Sequence, residues 1–176
     1  MRTLVIGLDS GTQSTKALVV DAKNGKVLGT SSEAYDLISK LPPGAKEQHP
    51  ETWRRAAANA IRKALKQARA KSSEVKAIGV SGQQHGFVPL DSKGEVIRPA
   101  KLWCDTATSV ECDEIMERVG GFKATVREIG NAVLPGFTAS KTGSDHLRFR
   151  TSSSAVPLAS PYSITFSPVS QKFKKS

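Results

Sequence analysis

The chain has 176 residues, 38% hydrophobic and 24% charged, which supports one packed domain with a real core and excludes wholesale disorder. Its apolar runs are strand-sized and broken by glycine or charge, so neither a membrane span nor a secretory leader is expected, and the chain reads as cytoplasmic. The formal charge of +10 comes from 21 basic against 15 acidic residues up to Lys141 and five against one beyond it; an excess so dispersed argues against a nucleic-acid partner.

The first element is the apolar run from Leu4 to Leu8, followed after a polar bend by a second run ending near Asp21. Asn24-Gly25 then separates two stretches rich in valine and leucine, the strongest short hairpin signal a sequence offers. Three strands near 3–9, 14–21 and 26–35 are therefore expected to meander antiparallel. "KLPPGAKEQHP" is loop by its prolines and glycine, and Pro50 opens a helix where a missing N–H costs nothing. Trp53, Ala56, Ala57, Ala60, Ile61, Ala64, Leu65 and Ala68 form its apolar stripe, with Arg54, Arg55, Arg62, Lys63, Lys66 and Arg69 on a solvated face. His49 and Trp53 are assigned to helix entry and packing.

Further along, "VKAIGVSGQQHG" reads as a buried strand running into a polar loop, and "GFVPLDSKGEVIRPAKLW" as a hairpin turning at Ser92 to Gly94. A short helix is expected near 108–119, with a threonine or serine cap, an acidic first turn and a terminal glycine. Cys104 and Cys112 have no companion at zinc-site spacing and read as reduced thiols. Residues 142–176 hold nine serines and three prolines without sustained periodicity and read as a tail, which leaves 1–141 as the domain. This order of elements is not the repeated strand–helix unit of a doubly wound dinucleotide fold.

Chemistry concentrates at the bend, "GLDSGTQSTK". Asp9 ends the first strand, Gly11 and Thr12 make the turn, and Thr15 and Lys16 begin the return. Backbone N–H groups at a glycine turn, helped by hydroxyls, suit phosphate oxygens. A carboxylate cannot approach phosphate without repulsion, but it can hold the waters of a magnesium ion that travels with a nucleotide. A plain hairpin turn uses the same residue types. Neither a Walker loop nor a G-x-G-x-x-G fingerprint occurs.

"GLDSGTQSTKALVVD" resembles the first phosphate loop of the actin-like ATPase superfamily. In the same order, "EQHPETW", "IGVSGQQHG", "RPAKLWCDTAT" and "GNAVLPGFTASK" resemble successive motifs of the xylulokinases among the FGGY carbohydrate kinases, over about residues 3–141. The resemblance implies an α/β fold, the ribonuclease H-like N-terminal domain of the actin-like ATPases with a mixed sheet. It implies ATP and Mg2+ at Asp9, Gly11, Thr12, Thr15 and Lys16, with the metal held by Asp9 through water. It further implies a D-xylulose-like sugar contacted by Gln84 and His85, with Trp103 as an aromatic wall and Asp105 as a hydroxyl acceptor. From sequence alone, His85 also reads as an ordinary loop histidine and Trp103 as core. The chain departs from the family at Gln84, Cys104 and Ala107, where methionine, asparagine and arginine are frequent. In the family the catalytic aspartate and the adenosine pocket lie beyond the region matched. The expectation is thus a truncated kinase, a binding half without useful turnover of its own, or a non-catalytic binding module completed by a partner chain.

Overall fold

The computed structural model describes residues 2–143; apart from its first two residues, which end the last helix, the proposed serine-rich tail lies outside the described residues. Three strands, β1 (Leu4–Ser10), β2 (Ser14–Asp21) and β3 (Val27–Ala34), form the expected antiparallel meander. The β2–β3 loop occupies Ala22 to Lys26, with Gly25 at φ +75° and the Asp21 amide donating to the Lys26 carbonyl at 2.9 Å. A two-residue strand β4 (Glu47–Gln48) precedes helix α1 (Pro50–Gln67), whose N-cap is His49. After a 3-10 turn at Ser72–Glu74, β5 (Val75–Gly82) returns parallel to β1, so the mixed sheet has the order β3-β2-β1-β5. The short β6 (Ala100–Lys101) pairs with β4, and α2 (Ser109–Val119), α3 (Phe122–Ile129) and α4 (Thr138–Gly143) follow. No helix among the described residues is long and apolar enough to cross a membrane.

Strand alternation sends Leu4 and Ile6 of β1 and Ala17 and Val19 of β2 to one face, where they meet Ala60, Ala64 and Ala68 of α1 and its extension. Alanine at every fourth position keeps this helix face flat and lets it lie close to the strands. Trp53 closes the entry by donating from Nε1 to Gln48 Oε1 at 2.9 Å.

Two expectations are corrected. β5 is not buried: Ile78 and Val80 are 49% and 70% exposed. They stand in register with Ile6 and Leu8 on the face that carries the core, but α1 lies over β2 and β3, and no described element covers β5. Thr108 is the N-cap residue of α2, yet its hydroxyl makes no cap bond and instead donates to the Pro135 carbonyl at 3.0 Å. At the other end of α2, Gly120 adopts the left-handed conformation, at φ +105°, as a terminal glycine should.

Arg2 ties the start of β1 to the entry of β5 through a two-point pair with Glu74, at 3.1 and 2.9 Å. That pair, and the Lys71 amide at 2.8 Å, hold the Glu74 carboxyl at about 2, below its ordinary 4.5. A carboxylate with a depressed folded pKa stabilises fully above its unfolded value and ceases to do so as pH falls through the folded one. The stability gap between the wild-type chain and Glu74→Gln is therefore expected to shrink below about pH 4.5 and vanish below about pH 2. Urea midpoints of both proteins across that range check it, and a gap independent of pH contradicts it.

Candidate functional site

The β1–β2 turn is held by side chains far from it in sequence. Its Gly11 amide is used within the turn, donating to Ser14 O at 3.0 Å. The Gly11 carbonyl accepts from Tyr35 Oη at 2.7 Å and from Gln83 Nε2 at 3.2 Å, and the Thr12 carbonyl accepts from Gln48 Nε2 at 2.7 Å. In a trans peptide the N–H points opposite the carbonyl of the preceding residue. Pinning these two carbonyls therefore aims the amides of Thr12 and Gln13 away from Tyr35, Gln83 and Gln48, and among the described residues neither amide has an acceptor. Two oriented, unspent donors at the surface are the elements of an anion cradle.

Asp9 and Lys16 face each other in register across β1 and β2, with Ser81 of β5 in register on the other side of Asp9. Both charged residues are exposed, and they border an open groove over the sheet with Gly7, Leu18, Ser32 and Gly79. Among the described residues Asp9 forms no ion pair, and no cluster of three or more metal-ligating side chains exists. This donor set fits Mg2+, which keeps most of its waters and binds through one carboxylate together with substrate phosphates. Asp9 would hold such an ion, and the ion would supply charge neutralisation at the phosphates.

Thr12 joins this turn to the expected sugar side. Its hydroxyl donates to Gln83 Oε1 at 3.0 Å and accepts from Trp103 Nε1 at 3.1 Å. The single hydroxyl proton is thus committed to Gln83, which leaves the amide as the Thr12 donor available to an anion. Trp103 is 52% exposed, so it is not core. Gln84 and His85 are exposed in the loop after β5, and His85 has φ +55° with its ring stacked on Phe137 at 4.7 Å between centroids.

Thr15 and Asp105 depart from the roles expected of them. Thr15 is fully buried, its hydroxyl 3.2 Å from Ser10 Oγ and 3.0 Å from Tyr35 Oη, so it braces the turn from inside. Asp105 is also fully buried. Its oxygens accept from the Lys46 and Ala107 amides at 2.9 and 3.2 Å, which ties two loops together and leaves no free face for a sugar hydroxyl.

Four residues of the site were not singled out from the sequence: Tyr35, Gln48, Gln83 and Lys141. Lys141 lies fully buried in α4, where its ammonium donates to the carbonyls of His85 at 2.8 Å and Gly136 at 2.6 Å. Burial pushes its pKa below the ordinary lysine value, against an opposing pull from Asp105. No local pattern marks Gln83 over Gln84. Lys141 interrupts an otherwise polar and small six-residue helix, a weak signal at best.

Residues 4–143 match the FGGY family of carbohydrate kinases, N-terminal domain. A xylulose kinase of Haemophilus influenzae is 43% identical over 142 residues, covering 78% of this chain and 29% of its own length. The crystal structure of a xyloylose kinase from Brucella ovis superposes with a TM-score of 0.69 at 36% identity, over 78% of this chain and 28% of that one. That of xylulose kinase from Rhodospirillum rubrum gives 0.68 at 30% identity, with the same coverage of both chains. The chain thus spans under a third of the length of the curated relatives it matches.

Proposed function

The chain belongs to the FGGY family of carbohydrate kinases, within its N-terminal domain, and on that premise we propose that it carries the phosphate-facing and sugar-facing surfaces of a xylulokinase-like sugar kinase. The turn at Asp9 to Lys16 receives the phosphates of Mg-ATP, and the surface formed by Gln84, His85 and Trp103 receives a D-xylulose-like sugar. The observation that carries the reading is the pinned turn, because it orients two amides beside a carboxylate and a lysine while the Thr12 hydroxyl contacts the tryptophan of the sugar side. Thr15 and Asp105 serve this site from inside, as braces. Cys104 and Cys112 are free thiols, which accords with a cytoplasmic setting.

Isothermal titration of the full chain with Mg-ATP and, separately, with D-xylulose tests the reading. Asp9→Ala is expected to weaken Mg-ATP at least tenfold, about 1.4 kcal/mol, and to leave D-xylulose unaffected. His85→Ala is expected to do the reverse. A wild-type chain that is folded by circular dichroism and binds neither ligand overturns the proposal.

The exposed apolar strip of β5, with Ile78 and Val80, favours a second element of the reading: a further segment of kinase type, in the same or a partner chain, covers this strand in the active enzyme.

A further inference from the structure

A lysine ammonium is an expensive group to bury unless hydrogen bonds compensate it. At position 141 a methionine would fill similar space without that cost. What the lysine adds is donors: its ammonium reaches two main-chain carbonyls, His85 O at 2.8 Å and Gly136 O at 2.6 Å, in charge-assisted bonds. His85 needs such an anchor, because φ +55° is a costly conformation for a residue with a Cβ and persists only where its surroundings impose it. The same segment holds the His85 ring, through the stack on Phe137. It also seats Trp103: Gly136 passes so close that an added Cβ would lie 2.7 Å from the Trp103 carbonyl.

We infer that Lys141 is a positioning residue for the sugar-facing surface, fixing the backbone of His85 relative to Trp103 through its bonds to His85 and Gly136. This rests on the reading of that surface as sugar-binding. Its ammonium bonds main-chain carbonyls and so acts on where His85 stands, and misplacement by an ångström at such a site can cost about a hundredfold.

The test uses the full chain and Lys141→Met, with D-xylulose and Mg-ATP titrations and the imidazole NMR resonances of the three histidines, His85 being identified by its loss in His85→Ala. Lys141→Met is expected to weaken D-xylulose at least tenfold, to leave Mg-ATP within about twofold, and to move the His85 ring resonances from ring-current-shifted positions to those of a free histidine. Equal losses for both ligands, or unmoved His85 resonances in a folded variant, overturn the inference. If the wild-type chain binds no D-xylulose, the sugar reading fails by itself and the His85 resonances alone decide whether Lys141 positions the loop. If Lys141→Met does not fold, the wild-type chain labelled at lysine Nζ decides. A solvent-protected ammonium with cross-peaks to the α protons of His85 and Gly136 supports the clamp, and its absence overturns it.

Discussion

Supplied with Mg-ATP and D-xylulose, the chain alone is expected to transfer phosphate no faster than a mock preparation. Phosphoryl transfer needs the γ-phosphate positioned, its charge stabilised and a carboxylate placed to accept the proton of the attacking hydroxyl. Of the two carboxylates assigned to this site, Asp9 is proposed to hold the cation, and Asp105 is buried with both oxygens accepting from backbone amides. Neither can serve as the base. Loss of a general base alone costs ~10²–10⁴ in rate. An open groove over the sheet adds to that loss, since nothing described here closes over it to exclude water or align the reactants. A coupled assay for ADP release, run on the same preparation that binds ligand by titration, checks the expectation. Turnover well above the mock preparation contradicts it, whereas binding without turnover is the signature of a recognition surface separated from its catalytic group.

The sheet and α1 were legible because their signals are local. Period-two alternation along β1 and β2, an Asn-Gly pair, and alanines recurring at helical spacing after Pro50 each act within a few residues. Sequence alone placed Thr15 among the ligand contacts, although it shares the alternation face of Ala17 and Val19 and is buried with them. Its motif position suggested a ligand contact, but its strand phase decides its surroundings. Burial of β5 was not legible. An apolar run states that a strand can be covered, while coverage depends on where the neighbouring helix lies, and α1 lies over the other half of the sheet. The turn's supports were hidden for a related reason. Tyr35, Gln48 and Gln83 reach Gly11 or Thr12 across 24, 36 and 72 residues of sequence, and no periodicity encodes a contact at that separation. The family resemblance pointed to the proposed site, and only the fold identified which polar side chains hold the β1–β2 turn in shape.

Gly29→Ala is expected to destabilise the chain by about 2–3 kcal/mol, the upper part of the range for overpacking a well-filled core. Gly29 stands opposite Val19 in β3, under α1. An added Cβ would collide with the Ala64 carbonyl oxygen and lie 2.8 Å from the Ala68 amide nitrogen. These are main-chain atoms of the helix and its cap, so no side-chain rotation relieves the contact. The helix must move away from the sheet, which loosens the alanine face against Leu4, Ile6, Ala17 and Val19 at once. Replacing a strand glycine by alanine returns roughly 0.5–1 kcal/mol of backbone entropy, too little to offset the collision. For a chain of this size the net change lowers Tm by roughly 5–10 °C. Gly79→Ala in β5 supplies the comparison, because its added Cβ would meet nothing within 4 Å. That variant should stay within about 0.5 kcal/mol of wild type or gain slightly. Thermal and urea unfolding of the two variants side by side separates the cases. Equal stability would mean that α1 does not rest on Gly29 in solution, which contradicts the close seat of the helix on β3.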